Sequence, residues 1–393
     1  MQGPLAFDPT AYEVHEDPYP LYRRLRDEAP VYRSDALDFW ALSRHADVLA
    51  AFKDVETFSN RNGVSLDRDA FHPHADTVMS FLAMDPPRHT RMRGLVSRGF
   101  TPRRVMDLEP RIRALAVGYL DACAERGACD FIADFAGRLP MDVVGELLGL
   151  PHTDRDLLRG WADAVVHRDD GIVGLPPSAA KAALELLQYF QHHVAERRAR
   201  PGDDLTTGLL AAELDGDRLS EREVLGFLFL MIVAGNETTT KLLANALYWL
   251  WRNPDQRALL RRDHDLVPRW VEETLRYDNS SQALARIVLR EVELHGTRLA
   301  PGDKAVLLIG SANRDERVFD EPDRYDLLRS TRASLSFGHG THFCLGAALA
   351  RLEGRIALEE VWRRFPDYEV EPAGITRVHS VNVRGFAALP VKL

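Results

Sequence analysis

The stretch from Ser220 to Asn253, SEREVLGFLFLMIVAGNETTTKLLANALYWLWRN, constrains the fold more than any other. At about 1.5 Å per residue, a helix of that length spans roughly 50 Å and crosses a whole domain. Ser220 and Glu223 form a capping-box pattern at its start, and Asn253 and Pro254 end it. Flanking charge and a polar centre speak against a membrane span. That centre, Gly235 to Thr240, holds poor helix formers apart from Glu237, so the sequence predicts a local break there. A threonine hydroxyl that takes over a carbonyl bond would open a groove for a small molecule.

A second feature is Phe337 to Gly346, read FGHGTHFCLG, with Cys344 ahead of the helical pattern LGAALARLEGRIALEEVWRRF. Gly338, Gly340 and Gly346 allow tight turns and close approach to something flat. Free N–H groups at the helix start would favour a thiolate. A zinc site needs nearby cysteines or histidines, and attached c-type haem needs CxxCH; neither accompanies Cys344. A lone thiolate is a recognised axial ligand of haem iron. The stretch closely resembles the haem-binding signature of the cytochrome P-450 monooxygenases, matching at Phe337, Gly338, Gly340, His342, Cys344 and Gly346.

That resemblance runs from about Asp17 to the C-terminus. It implies a mainly α chain with the cytochrome P-450 fold, one helical domain over 1–393 with a small β-sheet region. The cofactor implied is haem b, iron protoporphyrin IX, with Cys344 as metal ligand and Phe337, Gly338, Gly346 and Ala234 around it. Ala234 to Thr238, AGNET, resembles the family's AGxET segment, which implies Glu237 as the acid of a proton relay and Thr238 as its alcohol. His89 and Arg93 lie on one helix face; alone they read as a basic stripe, but the resemblance implies that they hold the haem propionates, with Arg286 and His342. Glu273 and Arg276 match an ExxR motif, completed on this reading by Arg324 in EPDRYD. Asn279, Ser280 and Ser281 replace the proline-rich run of many relatives, so substrate identity does not carry over.

The remaining signals are broader. A net charge of −9 argues against nucleic-acid binding. Three cysteines form no disulfide framework, and the first twenty residues show no basic end before an apolar run. The expectation is a cytoplasmic protein without a membrane anchor. The resemblance implies dioxygen, a small apolar organic substrate and a ferredoxin or flavodoxin-type electron donor with its reductase. Arg98, Arg103, Arg104 and Arg351 are candidate docking residues, against plain solvated arginines. Leu230, Phe227, Met79, Phe81 and Leu82 are candidate pocket residues, against ordinary core. DDGIVGLPP, between two helical patterns, reads equally as a lid or a loop. VYRS and FWALS predict a hairpin turning at Asp35, Ser43 is expected to cap RHADVLAAFKD, and His72 and His74 are given no role. A peroxide-driven haem oxidase and a haem-based gas sensor are the alternative functions.

Overall fold

The capped segment forms one continuous helix in the computed structural model, Glu221–Arg252, 32 residues long. The model describes residues 5–170, 174–214 and 216–393. At the helix start, the Glu223 amide donates to Ser220 Oγ at 3.3 Å and the Ser220 amide donates to the Glu223 carboxylate at 2.8 Å. The expected break is absent. Thr238 and Thr240 hydroxyls donate to the carbonyls of Ala234 (2.7 Å) and Asn236 (2.9 Å). These bonds to residue i−4 stand beside the helical ladder without displacing it.

The helices that position the site are, in order, α1 (Tyr19–Glu28), α2 (His45–Lys53), α3 (Arg88–Val96), α4 (Glu109–Arg126), α5 (Leu139–Leu148), α6 (Arg155–Val166), α7 (Pro177–Ala199), α8 (Glu221–Arg252), α9 (Val267–Tyr277) and α10 (Ala347–Arg364). Among the described residues, two sheets of more than two strands accompany them. Strands β1 (Val31–Ser34), β2 (Phe39–Leu42) and β3 (Phe58–Ser59) come early, β4 (Ala128–Asp130) follows α4, and β5 (Ala283–Val288), β6 (Lys304–Leu308), β7 (Glu369–Val370) and β8 (Pro390–Lys392) come late. One sheet has the order β1-β2-β6-β5-β3, antiparallel except for the parallel β2–β6 pair; the other has the order β7-β8-β4. The hairpin is as expected, with Ser34 opposite Phe39 and Asp38 in the left-handed region at φ 53°. Strand β4 was not anticipated, because Ala128–Asp130 is a strand only through its partner Val391 at the far end of the chain.

Ser43 does not cap α2. Its hydroxyl donates to the Pro30 carbonyl, and the carboxylate of Asp315 accepts from the His45 amide at 2.9 Å. A residue 270 positions away supplies the cap.

Helix α8 belongs to two cores. Val224, Phe227, Leu228 and Ile232 pack with Phe81, Val144, Leu158 and Phe190, whereas Leu243, Leu247 and Leu250 pack with Ile112, Trp270 and Ile356. The polar centre falls at the junction. It is long and apolar enough to cross a membrane, yet two-thirds of its most apolar window is buried inside the protein.

On α9, Arg276 and Glu273 form a two-pronged buried ion pair at 2.7 and 2.8 Å. Arg276 also reaches the carbonyls of Asn313 (3.0 Å), Pro322 (2.9 Å) and Arg324 (3.2 Å). The third member is not Arg324, whose side chain is 54% exposed and pairs with Glu321 at 3.5 Å. Arg329, 9% exposed, stands 3.5 Å from Glu273 instead. The PDR triplet turns its backbone inward and its guanidinium outward. Arg324→Ala should therefore change stability by no more than about 0.5 kcal/mol. Arg276→Ala, which strips a buried carboxylate of its main partner, should cost about 3–5 kcal/mol, with Arg329→Ala between them, read by urea unfolding.

Candidate active site

The Phe337–Gly346 segment is folded on itself by backbone bonds, Cys344 amide to Phe337 carbonyl at 2.9 Å and Phe343 amide to Gly340 carbonyl at 3.0 Å. Gly338 and Gly340 sit at φ 68° and 69°, which disfavours a Cβ. A Cβ on Gly340 would also lie 3.0 Å from the Phe52 carbonyl oxygen. Gly346 is different: its φ is −84° and nothing lies within 4 Å of where its Cβ would be. Helix α10 starts at Ala347 with Gly346 as its cap, so Cys344 stands two residues before the cap rather than against the first turn.

The amides of Gly346 and Ala347 and the charges of Arg93 and Arg351 favour a thiolate, but burial is the largest influence and raises the Cys344 pKa. The expected thiolate preference of the bare chain is outweighed because nothing cationic touches the sulfur directly. A coordinated metal ion reverses that balance. The Cys344 residue is nevertheless exposed by area, as is Ala234 in the middle of α8 between half-buried neighbours. Each has open space beside it.

Beside this loop, four basic side chains converge. The rings of His89 (α3) and His342 have centroids 4.2 Å apart, and none of their four nitrogens has a hydrogen-bond partner. Burial, then Arg93, lowers the His89 pKa to about 4. Burial, then His89, Arg286 and Arg93, drives that of His342 far down. Arg93 donates to the Phe343 carbonyl at 2.7 Å. Arg286 on β5, 2% exposed, bonds only the Ala285 carbonyl at 2.7 Å, and burial lowers its pKa to about 10. Asp85 is the acid that favours its charge, and that carboxylate is already used by the Asn60 amide (2.9 Å) and the Ser59 hydroxyl. Buried polar groups are normally paired. This set calls for an anion, and the two propionates of a haem answer to it.

On α8, Glu237 is 1% exposed with Lys241 Nζ 3.2 Å away, and its pKa is lowered against the burial that would raise it, mainly by Lys241. Thr238 is half-buried, and Ser280 donates to its carbonyl at 2.6 Å, so the segment replacing the proline-rich run is pinned to the polar centre. Lys241 was readable as the i+4 partner of Glu237. Asp163 on α6, which titrates with Glu237, was not, since 74 positions and no motif separate them.

The candidate pocket residues divide. Phe227 and Phe81 are buried in one core cluster, 6.2 Å apart, while Leu230, Met79 and Leu82 are half-buried. Among the candidate docking residues, Arg103 and Arg104 are exposed, Arg98 donates to the Glu213 carbonyl at 3.0 Å, and Arg351 is paired with Glu272 at 2.5 Å. The His74 amide donates to His72 Nδ1 at 3.1 Å, and the carbonyls of the two residues accept from the Ala75 and Thr77 amides, a local turn with no convergent ligand set among the described residues. Residues 171–173, the middle of the candidate lid, lie outside the described residues. Its flanks meet the early loop: Arg168 clasps Asp67 at 2.6 and 2.8 Å, and the Leu175 amide donates to Asp69 at 3.2 Å.

The family profile "Cytochrome P450" matches residues 179–376. A Mycobacterium tuberculosis protein named provisionally as cytochrome P450 123 is 56% identical over 390 residues, 99% of this chain and 97% of its own length. This chain belongs to the cytochrome P450 family. The cyclomarin C epoxidase CymV of Salinispora arenicola is 41% identical over 94% of both chains. The crystal structure of CYP109E1 from Bacillus megaterium with testosterone superposes with a TM-score of 0.90 at 33% identity, covering 97% of this chain and 98% of that one.

The chain is thus an oxidoreductase, a cytochrome P450 monooxygenase with a haem-thiolate cofactor and the P450 fold. The unpaired basic cluster fits that cofactor. Arg286→Ala should weaken haem retention by about 1.5–3 kcal/mol, on the order of tenfold to a hundredfold. The rate of haem transfer to apomyoglobin measures it, with the exposed Arg103→Ala as an unchanged control.

Proposed function

We propose that this cytochrome P450 inserts one atom of dioxygen into a small, largely apolar organic molecule by hydroxylation or epoxidation, with Cys344 as the thiolate that would ligate its haem. The observation that carries the reading is a cysteine with open space beside it together with a helix centre where Ala234 is likewise exposed and Glu237 and Thr238 follow. His89, Arg93, Arg286 and His342 would hold the haem carboxylates, and Phe337, Gly338 and Gly346 would shape the thiolate side. When bound, the haem supplies the activation of dioxygen, with electron density donated by the thiolate.

The chain's own residues manage protons and water. Thr238 Oγ1 rests on the Ala234 carbonyl, and rotation about χ1 frees it to take and give a hydrogen bond on the open side. Glu237, one residue earlier, is the acid that passes protons to it. Half-buried Leu230, Met79 and Leu82 give the substrate an apolar surface and exclude water. An epoxidase among the relatives and a steroid complex among the similar structures support an organic substrate of that kind. Electrons come from a ferredoxin or flavodoxin-type donor with its reductase, received on the face of Arg98, Arg103 and Arg104; Arg351 is withdrawn from that set by Glu272. We place the enzyme in the cytoplasm as one domain over residues 1–393.

Cys344→Ala should abolish the thiolate-type carbon monoxide difference spectrum, and a normal spectrum in that variant would remove Cys344 from the ligand position. Thr238→Ala should lower product formed per reduced nicotinamide consumed by ~10-fold or more, with peroxide released instead. Unchanged coupling would exclude the relay role. Turnover of the native enzyme with hydrogen peroxide alone, and none with ferredoxin and reductase, would select the peroxide-driven reading.

A further inference from the structure

Glu237 is 1% exposed, yet neither carboxylate oxygen has a properly aligned hydrogen bond. Lys241 answers its charge at 3.2 Å, and a buried charge so placed still calls for a proton donor. The group that faces it across the α6–α8 contact is a second carboxyl, Asp163. The two carboxyls lie close enough to titrate together and for one proton to be shared between them. Two carboxyl groups so close do not both ionise at neutral pH. Lys241 on α8 and Arg159 on α6 are the cations facing the pair, and Lys241 is the larger influence on Glu237. The shared proton therefore rests on Asp163, whose pKa is raised to about 8 by burial first and Glu237 second. Asp163 is exposed by area although burial is the largest influence on its pKa, so one side of the acid meets a recess that water can enter while the other meets Glu237.

We propose that Asp163 is the outer acid of the proton relay: it takes a proton from solvent and gives it to Glu237, which passes it to Thr238. The proposal rests on the relay reading of Glu237 and Thr238 above. Each transfer moves one proton and no electrons. Asp163 becomes a carboxylate as Glu237 becomes an acid, and a solvent proton restores Asp163. The hydrogen bond between the two carboxyls is the path of the transfer. Because Asp163 lies on α6, three residues before that helix ends at Val166, the outer acid and the entrance to the candidate lid share one element.

Infrared difference spectra of the haem-loaded enzyme across pH test this. The expected result is a carbonyl band of a protonated carboxylic acid that vanishes as pH rises through about 8. Asp163→Asn should remove it and Glu237→Gln should shift it. Glu353, buried and likewise raised to about 8, gives its own band, identified because Glu353→Gln removes it and Asp163→Asn does not. If Asp163→Asn leaves every such band in place, the proposal is overturned. In turnover, wild-type product formation should fall about tenfold per pH unit well above that value. Asp163→Asn should be slow and flat across the same range, with an unchanged carbon monoxide spectrum and substrate-induced spin shift. A wild-type rate and profile in Asp163→Asn would overturn the outer-acid role even if Thr238→Ala uncouples. The infrared band persists in Thr238→Ala whether or not that variant uncouples, which separates failure of this proposal from failure of the relay.

Discussion

The buried fork between Arg276 and Glu273 fixes the position of the cysteine loop, although neither residue touches it. Arg276 holds the Asn313 carbonyl. The Asn313 side chain in turn accepts from the Leu335 amide at 2.7 Å and donates to Ser336 Oγ at 2.8 Å, and Ser336 Oγ donates to the Leu275 carbonyl on the same helix. Leu335 and Ser336 lead directly into Phe337. The loop is thus suspended from α9 by a closed circuit of buried bonds. Its weakest point is a charge pair that is stable only while both partners and their outer bonds remain. Asp326, whose amide donates to Glu273 at 2.9 Å, brings the returning chain into the same circuit.

What could be read along the sequence, and what could not, follows from the range of each interaction. The cysteine stretch, the capping box and the strand hairpin are set within a few residues, so their patterns are visible in a single pass. The third arginine was misassigned because Arg324 and Arg329 are equally plausible in a loop; only the path of the backbone through Pro322 turns one out and the other in. Likewise the α2 cap comes from Asp315 and the partner of β4 from Val391, contacts that no local pattern records. The predicted break in α8 overrated propensity. Five poor helix formers in six positions are tolerated when both flanks lie in separate apolar cores.

That division of α8 also explains why the reactive centre sits where it does. Each half of the helix is anchored by its own cluster, so the middle turns need not contribute to burial and can carry Asn236, Glu237, Thr238 and Lys241. In a helix anchored along its whole length, a buried Glu–Lys pair would be weak support at best. Here it maintains a charge beside an opening.

The basic cluster makes the opposite demand. The ring nitrogens of His89 and His342 are buried without hydrogen-bond partners among the described residues, and Arg286 is buried against the charge it carries, a cost that hydrophobic packing around them does not repay. Folding alone leaves the region between α3, β5 and the cysteine loop unsatisfied, and ligand binding to the native state adds stability by mass action. The cofactor is therefore part of the core that joins these three elements. The walls of the substrate space, by contrast, mix Leu230 and Leu82 with Phe227 and Phe81, apolar residues of the same kind, some lining and some core. Charge complementarity identifies the cofactor from few residues, whereas substrate shape is distributed over many that are individually interchangeable.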